Sequence, residues 1–150
     1  LKKIKNNQKI SITDPSMTRF TITMDDALNL IVDSIAESKG SETFVPKLKA
    51  YNIMDVKDAV ISLLGKGEFE ISKIRPGEKI NETLINKSEM DYTIQNKKRY
   101  VLLRPESYES SKTVYKNYQP VKESFEYSSN SVEKWTIDEI KTLITNSGLI

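Results

Sequence analysis

The stretch KIRPGEKINETLI, residues 73–85, sets Arg75, Pro76, Gly77, Glu78 and Lys79 side by side. Arg-Pro-Gly-Glu is the residue order of a type II turn: Pro76 fixes φ at the second position and Gly77 accepts positive φ at the third. Such a turn projects Arg75 and Glu78 from its two ends. A guanidinium fork matches phosphate oxygens bidentately, and a nearby carboxylate can accept from sugar hydroxyls. One reading is therefore a clamp for an anion. The other is a solvated surface turn with a local Arg–Glu pair, and charged turns are common enough that spacing alone favours it.

A second arginine, Arg19, lies in DPSMTRFTIT between the apolar residues Met17 and Phe20. A cation in that setting either snorkels at the surface or aims at a ligand across a dry wall. Taken alone, snorkelling is the simpler reading; taken with Arg75, two arginines from separate segments could grip one diphosphate. The run Lys97-Lys98-Arg99-Tyr100 is basic with an aromatic neighbour, but three cations in a nearly neutral chain read as a solvated loop rather than an RNA contact. Tyr108, Tyr115, Tyr118, Phe125 and Tyr127 read as anchors of a C-terminal arm on a core or on another subunit. The pairs Asp25/Asp26 and Glu68/Glu70 have structural explanations, as residues at a helix start and on a strand exterior. No P-loop, no GxGxxG and no nucleophile–base pair occurs in the sequence.

The elements that must position these residues can be read from periodicity. KISITDP alternates and then stops at Asp14-Pro15, which predicts a short strand. Thr23 precedes Met24, Ala27, Leu28, Ile31 and Ile35 at helical spacing, with Asp25 and Asp26 in the first turn where the helix dipole favours them. That helix is expected to end near Lys39-Gly40. ETFVP reads as a buried strand. Asp55 is expected to open a second helix bearing Val56, Ala59, Val60, Leu63 and Leu64, with Gly65 and Gly67 beyond its end. FEISKI alternates as a strand and feeds the chain into Arg75, at the strand end where open α/β sheets bind ligands. INETLI and SEMD read as short helical or irregular pieces, and RYVLL as a strand. From Pro105 to Tyr127 no period persists, so a long loop or arm is expected. A last helix starts at Thr136 with Glu139 completing a capping box, burying Ile137, Ile140 and Ile144. Short strands alternating with two strong helices say α/β, loop-rich, divided into residues 1–104 and a C-terminal arm with its helix over 105–150.

The totals bound the partners. With 150 residues the chain can form a modest core. Lys+Arg number 23 against 21 Asp+Glu, a formal charge of +2, so nothing points to nucleic acid or a membrane surface. Cysteine and histidine are both absent, which removes disulfides, thiolate metal sites and the commonest general base; no metal site is expected. No apolar run approaches a membrane span and no secretory core follows the basic start, so a cytoplasmic setting is expected. The opening LKKIKNNQKI reads like the tail of a helix running into a turn, as in a piece of a longer protein.

Four segments, ITDPSMTRFTITMDDALNLIVDSI, ETFVPKLKAYNIMDVKDAV, KIRPGEKINETLI and FEYSSNSVEKWTIDEI, occur in the order seen in one group of extended short-chain dehydrogenase/reductases. In them the chain resembles the UDP-N-acetylglucosamine 4,6-dehydratases of bacterial polysaccharide and nonulosonic acid biosynthesis, with MTRF and RPGEK the most specific parts. The resemblance implies the C-terminal, substrate-binding portion of a modified Rossmann fold without its dinucleotide-binding half. It implies that Arg19 and Arg75 hold the diphosphate of a UDP-sugar, that Glu78 sits near the ribose or uridine, and that Thr13 (in ISIT) and Met17 border the nucleotide. It also implies the family's reaction: NADP-dependent oxidation at C4, loss of water across C5 and C6, return of the hydride to C6, often with inversion at C5. The family's glycine-rich loop, its Tyr-xxx-Lys pair and its Asp/Lys elimination residues have no counterpart here. Tyr51/Lys57 and Tyr115/Lys116 have the wrong spacing. No catalytic residue is therefore assigned, no cofactor is expected on this chain alone, and the expected partners are a UDP-sugar, the missing N-terminal half and a homo-oligomer. The competing expectation is a non-catalytic interaction or oligomerisation module.

Overall fold

The computed structural model describes residues 2–6 and 8–148. In chain order the elements are α1 (Lys2–Lys5), β1 (Ile10–Ile12), β2 (Thr18–Phe20), α2 (Met24–Glu37), β3 (Thr43–Pro46), β4 (Ala50–Asn52), α3 (Ile53–Leu64), β5 (Phe69–Ile71) and β6 (Thr83–Ile85). They continue with α4 (Lys87–Met90), β7 (Thr93–Gln95), β8 (Arg99–Leu102), a 3-10 turn (Pro105–Ser107), α5 (Tyr108–Val114), β9 (Gln119–Pro120), β10 (Tyr127–Ser128) and α6 (Ile137–Asn146). These elements form two compact units. One comprises residues 1–20, 49–82 and 132–150, the other residues 21–48 and 83–131.

In the first unit β1 pairs in parallel with β5, Ile10 facing Phe69 and Ile12 facing Ile71. β2 pairs antiparallel with β4, setting Arg19 opposite Tyr51. Helices α3 and α6 pack together. Ala50 ties the chain before α6 to this framework: its N–H donates to the Glu133 carbonyl (3.0 Å) and its carbonyl accepts from Trp135 N–H (2.8 Å). Lys49 adds ion pairs to Glu133 (2.7 Å) and Glu139 (3.0 Å). Ile12, Met17, Ala50, Ala59 and Ile140 are buried in this unit. The expected capping box at Thr136 and Glu139 is present. Of the three isoleucines expected to be buried on α6, Ile140 is buried, whereas Ile137 remains 37% exposed.

Helix α3 begins at Ile53, two residues before Asp55. The Asn52 side chain caps it by accepting from Met54 N–H (2.7 Å), a cap that a reading centred on the acidic residue overlooks. It ends at Gly65 in the left-handed conformation, φ +68°.

The second unit holds a four-stranded antiparallel sheet in the order β3-β8-β7-β9 and a separate antiparallel pair of β6 with β10. Its core is Ile94, Val101, Leu103 and Tyr115, against which Phe44, Tyr108 and Tyr118 pack. Residues 105–127, expected as a loop, carry the 3-10 turn, α5 and β9. Their regularity comes from Tyr108, Tyr115 and Tyr118 docking on that core, a tertiary cause without a sequence period. NETLI likewise contains a strand, β6, because β10 pairs with it.

Helix α2 is capped by Thr23, which accepts from Asp26 N–H (3.1 Å), as its sequence predicts. It turns its charged edge inward. Arg99, expected in a solvated loop, is buried in β8 with its side chain 6% exposed, because it pairs with Asp33 of α2. Its Nη1 lies 4.0 Å from Glu37, too far for a hydrogen bond, and Glu37 accepts instead from the Tyr118 hydroxyl. The apolar stripe of α2 therefore faces outward: Met24, Leu28, Ile31, Val32 and Ile35 are 53–75% exposed, and no residue of the helix is buried. Removing the Asp33 carboxylate leaves the buried guanidinium with only the more distant Glu37, 4.0 Å away, as counter-ion. Asp33→Ala is expected to destabilise this unit by about 1.5–3 kcal/mol, read from the urea midpoint by circular dichroism.

Candidate functional site

The loop from Lys73 to Glu82 leaves β5 without a ladder partner, so its backbone polar groups must be satisfied in another way. Part of the answer is the turn itself. Glu78 N–H donates to the Arg75 carbonyl (3.0 Å), and Gly77 has φ +82°, the geometry of the type II turn that Pro76-Gly77 encodes. The Glu78 carboxylate closes the turn from the side, accepting from Arg75 N–H (3.2 Å) and from the Thr13 hydroxyl (3.0 Å). Thr13 follows β1, so the strand preceding Asp14 and the loop following β5 are joined at this carboxylate.

Asp14-Pro15 makes its own turn. The Asp14 carboxyl accepts from the Ser16 N–H (2.7 Å) and hydroxyl (2.6 Å), and these bonds hold its pKa below the usual value. This turn delivers buried Met17 and then β2. Thr18 N–H donates to the Ile80 carbonyl (3.0 Å), and its hydroxyl donates to the Asn81 side chain (2.8 Å).

Arg19 completes the connection. Its Nη1 donates to the carbonyls of Thr18 (2.7 Å) and Ile80 (2.9 Å), and its Nη2 donates to the Lys79 carbonyl (2.8 Å). Nη2 also lies 3.6 Å from the Met17 sulfur, and Nε lies 3.5 Å from a Glu82 carboxylate oxygen. Tyr51, opposite Arg19 across the strand pair, has its phenol pushed up by burial, against the opposing effect of the Arg19 charge.

Thr13, Met17, Arg19 and Glu78, all sequence-derived candidates, are thus joined by hydrogen bonds or sulfur contacts within the first unit. Arg75 is joined to them through its backbone. Its guanidinium is exposed and has no partner among the described residues, so the Arg–Glu side-chain pair of the surface-turn reading is not formed. Lys73 and Lys79 flank it, also exposed. Chemically this is a pre-bent loop presenting one free guanidinium and two ammonium groups. Sequence reasoning missed the carbonyls of Lys79 and Ile80 that hold Arg19, because backbone acceptors carry no residue signature. Asn81 and Glu82, which also brace the loop, sat in a segment read as irregular.

No side-chain position at Gly77 meets an atom within 4 Å, so replacing it tests backbone conformation alone. Gly77→Ala is expected to cost about 1–2 kcal/mol of stability, measured by thermal unfolding, with no steric contribution.

The chain is similar to several known proteins. Campylobacter jejuni UDP-N-acetylglucosamine 4,6-dehydratase (inverting) is 28% identical over 141 residues, 90% of this chain and 41% of that protein. Staphylococcus aureus capsular polysaccharide biosynthesis protein CapD is 38% identical over 92 residues, 58% of this chain but 15% of that protein. The X-ray structure of Pen from Bacillus thuringiensis superposes with a TM-score of 0.82 at 26% identity, covering 99% of this chain and 43% of Pen. The chain therefore spans about two fifths of Pen and of the Campylobacter dehydratase. Its loop-rich α/β architecture is part of an extended short-chain dehydrogenase/reductase fold. Residues 1–104, more than half of the chain and including every residue of the loop site, match the polysaccharide biosynthesis protein family, and the chain belongs to that family.

Proposed function

We propose that the first unit is the nucleotide-sugar-binding part of a UDP-N-acetylglucosamine 4,6-dehydratase, a hydro-lyase of bacterial surface polysaccharide biosynthesis acting in the cytoplasm. The observation that carries this reading is the Arg75 guanidinium, which has no partner among the described residues, on a turn closed by its own backbone and by the Glu78 carboxylate. A diphosphate offers a bidentate acceptor to that fork and a second negative charge to Lys73 and Lys79. Arg19 belongs to the same substrate-binding constellation. Glu78 retains lone pairs for a ribose hydroxyl, since each of its oxygens accepts one bond here. Thr13 and Met17 border the nucleotide. The sequence has no glycine-rich loop that would cradle a dinucleotide, so its residues do not fit NADP and no step through a nicotinamide is assigned to it. Hydride transfer, elimination and any inversion at C5 would fall to an N-terminal part of about three fifths of a relative's length.

The outward apolar stripe of α2 favours a second role, as an interaction surface for that absent half or for another copy in a homo-oligomer. Surface of this kind on a monomer promotes association. Ile31→Asp combined with Ile35→Asp is expected to abolish concentration-dependent self-association in sedimentation velocity without lowering the melting temperature. Self-association unchanged by both aspartates would count against this surface.

The binding role is tested by UDP titration calorimetry of the chain. Losing one charged phosphate contact costs about 1.5–3 kcal/mol, so Arg75→Ala should weaken UDP about ten- to hundredfold. An unchanged Kd would remove Arg75 from the site.

A further inference from the structure

We propose that the second unit carries a binding site for a small zwitterion, a free α-amino acid, in the cleft between the turn before β3 and the turn after β8. The cleft has a volume of about 380 Å³, towards the small end of the ~300–1,000 Å³ usual for small-molecule sites. Ser41, Leu103, Arg104, Glu106, Ser107 and Ser111 line it. All six belong to the second unit, and none takes part in the Arg75 loop.

The walls are fixed by bonds that leave the lining side chains free. On one side the Glu42 carboxylate, which also borders the cleft, accepts from the Ser38 hydroxyl (2.9 Å) and from Gly40 N–H (2.8 Å). The bend so clasped holds Ser41 at φ +72°, the one positive φ among the described non-glycine residues. Serine gains nothing from that backbone by itself, so the conformation is imposed, and it turns the residue to the cleft. On the other side Leu103 N–H donates to the Tyr92 carbonyl (3.0 Å), and Ser107 N–H donates to the Arg104 carbonyl (3.1 Å). The backbone is thus tied before and after Arg104. Its guanidinium, the Glu106 carboxylate and the hydroxyls of Ser41, Ser107 and Ser111 have no partner among the described residues. Ser107 precedes α5 without capping it through its side chain, which leaves that hydroxyl available.

Charge decides the class of ligand. Glu42 is occupied by its own bend, so the open charges are one guanidinium and one carboxylate. A phosphate dianion would meet two carboxylates for one guanidinium, and a plain cation would meet the guanidinium. A zwitterion satisfies both groups at once. Its carboxylate lies on the Arg104 fork, the serine hydroxyls donate to the remaining lone pairs, and its ammonium donates to Glu106. Buried Leu103 offers an apolar floor for a short side chain. UDP, which carries negative charge and no cationic group, is unsuited to this cleft.

The site is tested on the labelled 150-residue chain by following backbone amide resonances. The probes are L-alanine, L-serine and L-leucine, then L-alaninamide, which lacks the carboxylate, and propionate, which lacks the ammonium. The expected result is a saturable shift of residues 40–42 and 103–111 with at least one amino acid at millimolar concentration. Each lost charge removes a charge-assisted bond, so L-alaninamide and propionate should bind about tenfold or more weakly than L-alanine. Arg104→Gln and Glu106→Gln should each weaken the amino acid to a similar degree. Both side chains are exposed, so the melting temperature should not move. No saturable shift with any of the three amino acids would overturn the proposal. Propionate binding as well as L-alanine would also overturn it, since that is the behaviour of a simple anion site. So would an affinity unchanged in both variants. The proposal does not depend on the nucleotide reading: a chain that binds no UDP could still show these shifts.

Discussion

The first unit depends on one guanidinium serving several backbone carbonyls. A chain leaving a strand end without a ladder partner must satisfy its peptide groups locally, and the Lys79 and Ile80 carbonyls do so through Arg19 of β2. That single side chain joins a strand pair to a turn that Pro76 and Gly77 have already bent. Glu78 closes the turn from the other side, with Thr13 as its second donor. Once these bonds are made, the loop is held at both flanks and presents the Arg75 guanidinium between the exposed Lys73 and Lys79. The loop is pre-organised by polar bonds, which suits the proposed ligand, whose charge is spread over several oxygens.

Much of this was legible from residue types. Arg75-Pro76-Gly77-Glu78 encodes a turn type, and the turn has the φ that Gly77 predicts. Thr23 and Thr136 cap the helices they precede, because a side-chain acceptor at that position meets a donor fixed by the helix itself. What could not be read was set by partners distant in sequence. That Arg19 also holds the carbonyls of Lys79 and Ile80 could not be read, because they lie about sixty positions away and any residue supplies a carbonyl. Arg99 looked solvated because nothing near it announces Asp33. Residues 105–127 lack a period because three tyrosines, not an apolar stripe, seat them on the core.

The inverted orientation of α2 has the same origin. A helix with an apolar stripe ordinarily turns that stripe to its own core. Here a buried guanidinium holds Asp33, so the charged edge faces the sheet and the apolar stripe faces out. The desolvation of a buried arginine offsets much of its attraction to a carboxylate. A chain spanning about two fifths of Pen and the Campylobacter dehydratase, with such a face uncovered, is chemically suited to being one part of a larger assembly.

The central claim is that the Arg75 loop and the strand held to it form the nucleotide site. The most direct measurement is to follow backbone amide resonances of the labelled chain during addition of UDP. Saturable shifts concentrated in residues 13–19 and 75–82, with the second unit unmoved, are the predicted result. Shifts confined to the second unit, or no shifts at millimolar UDP, would contradict the claim.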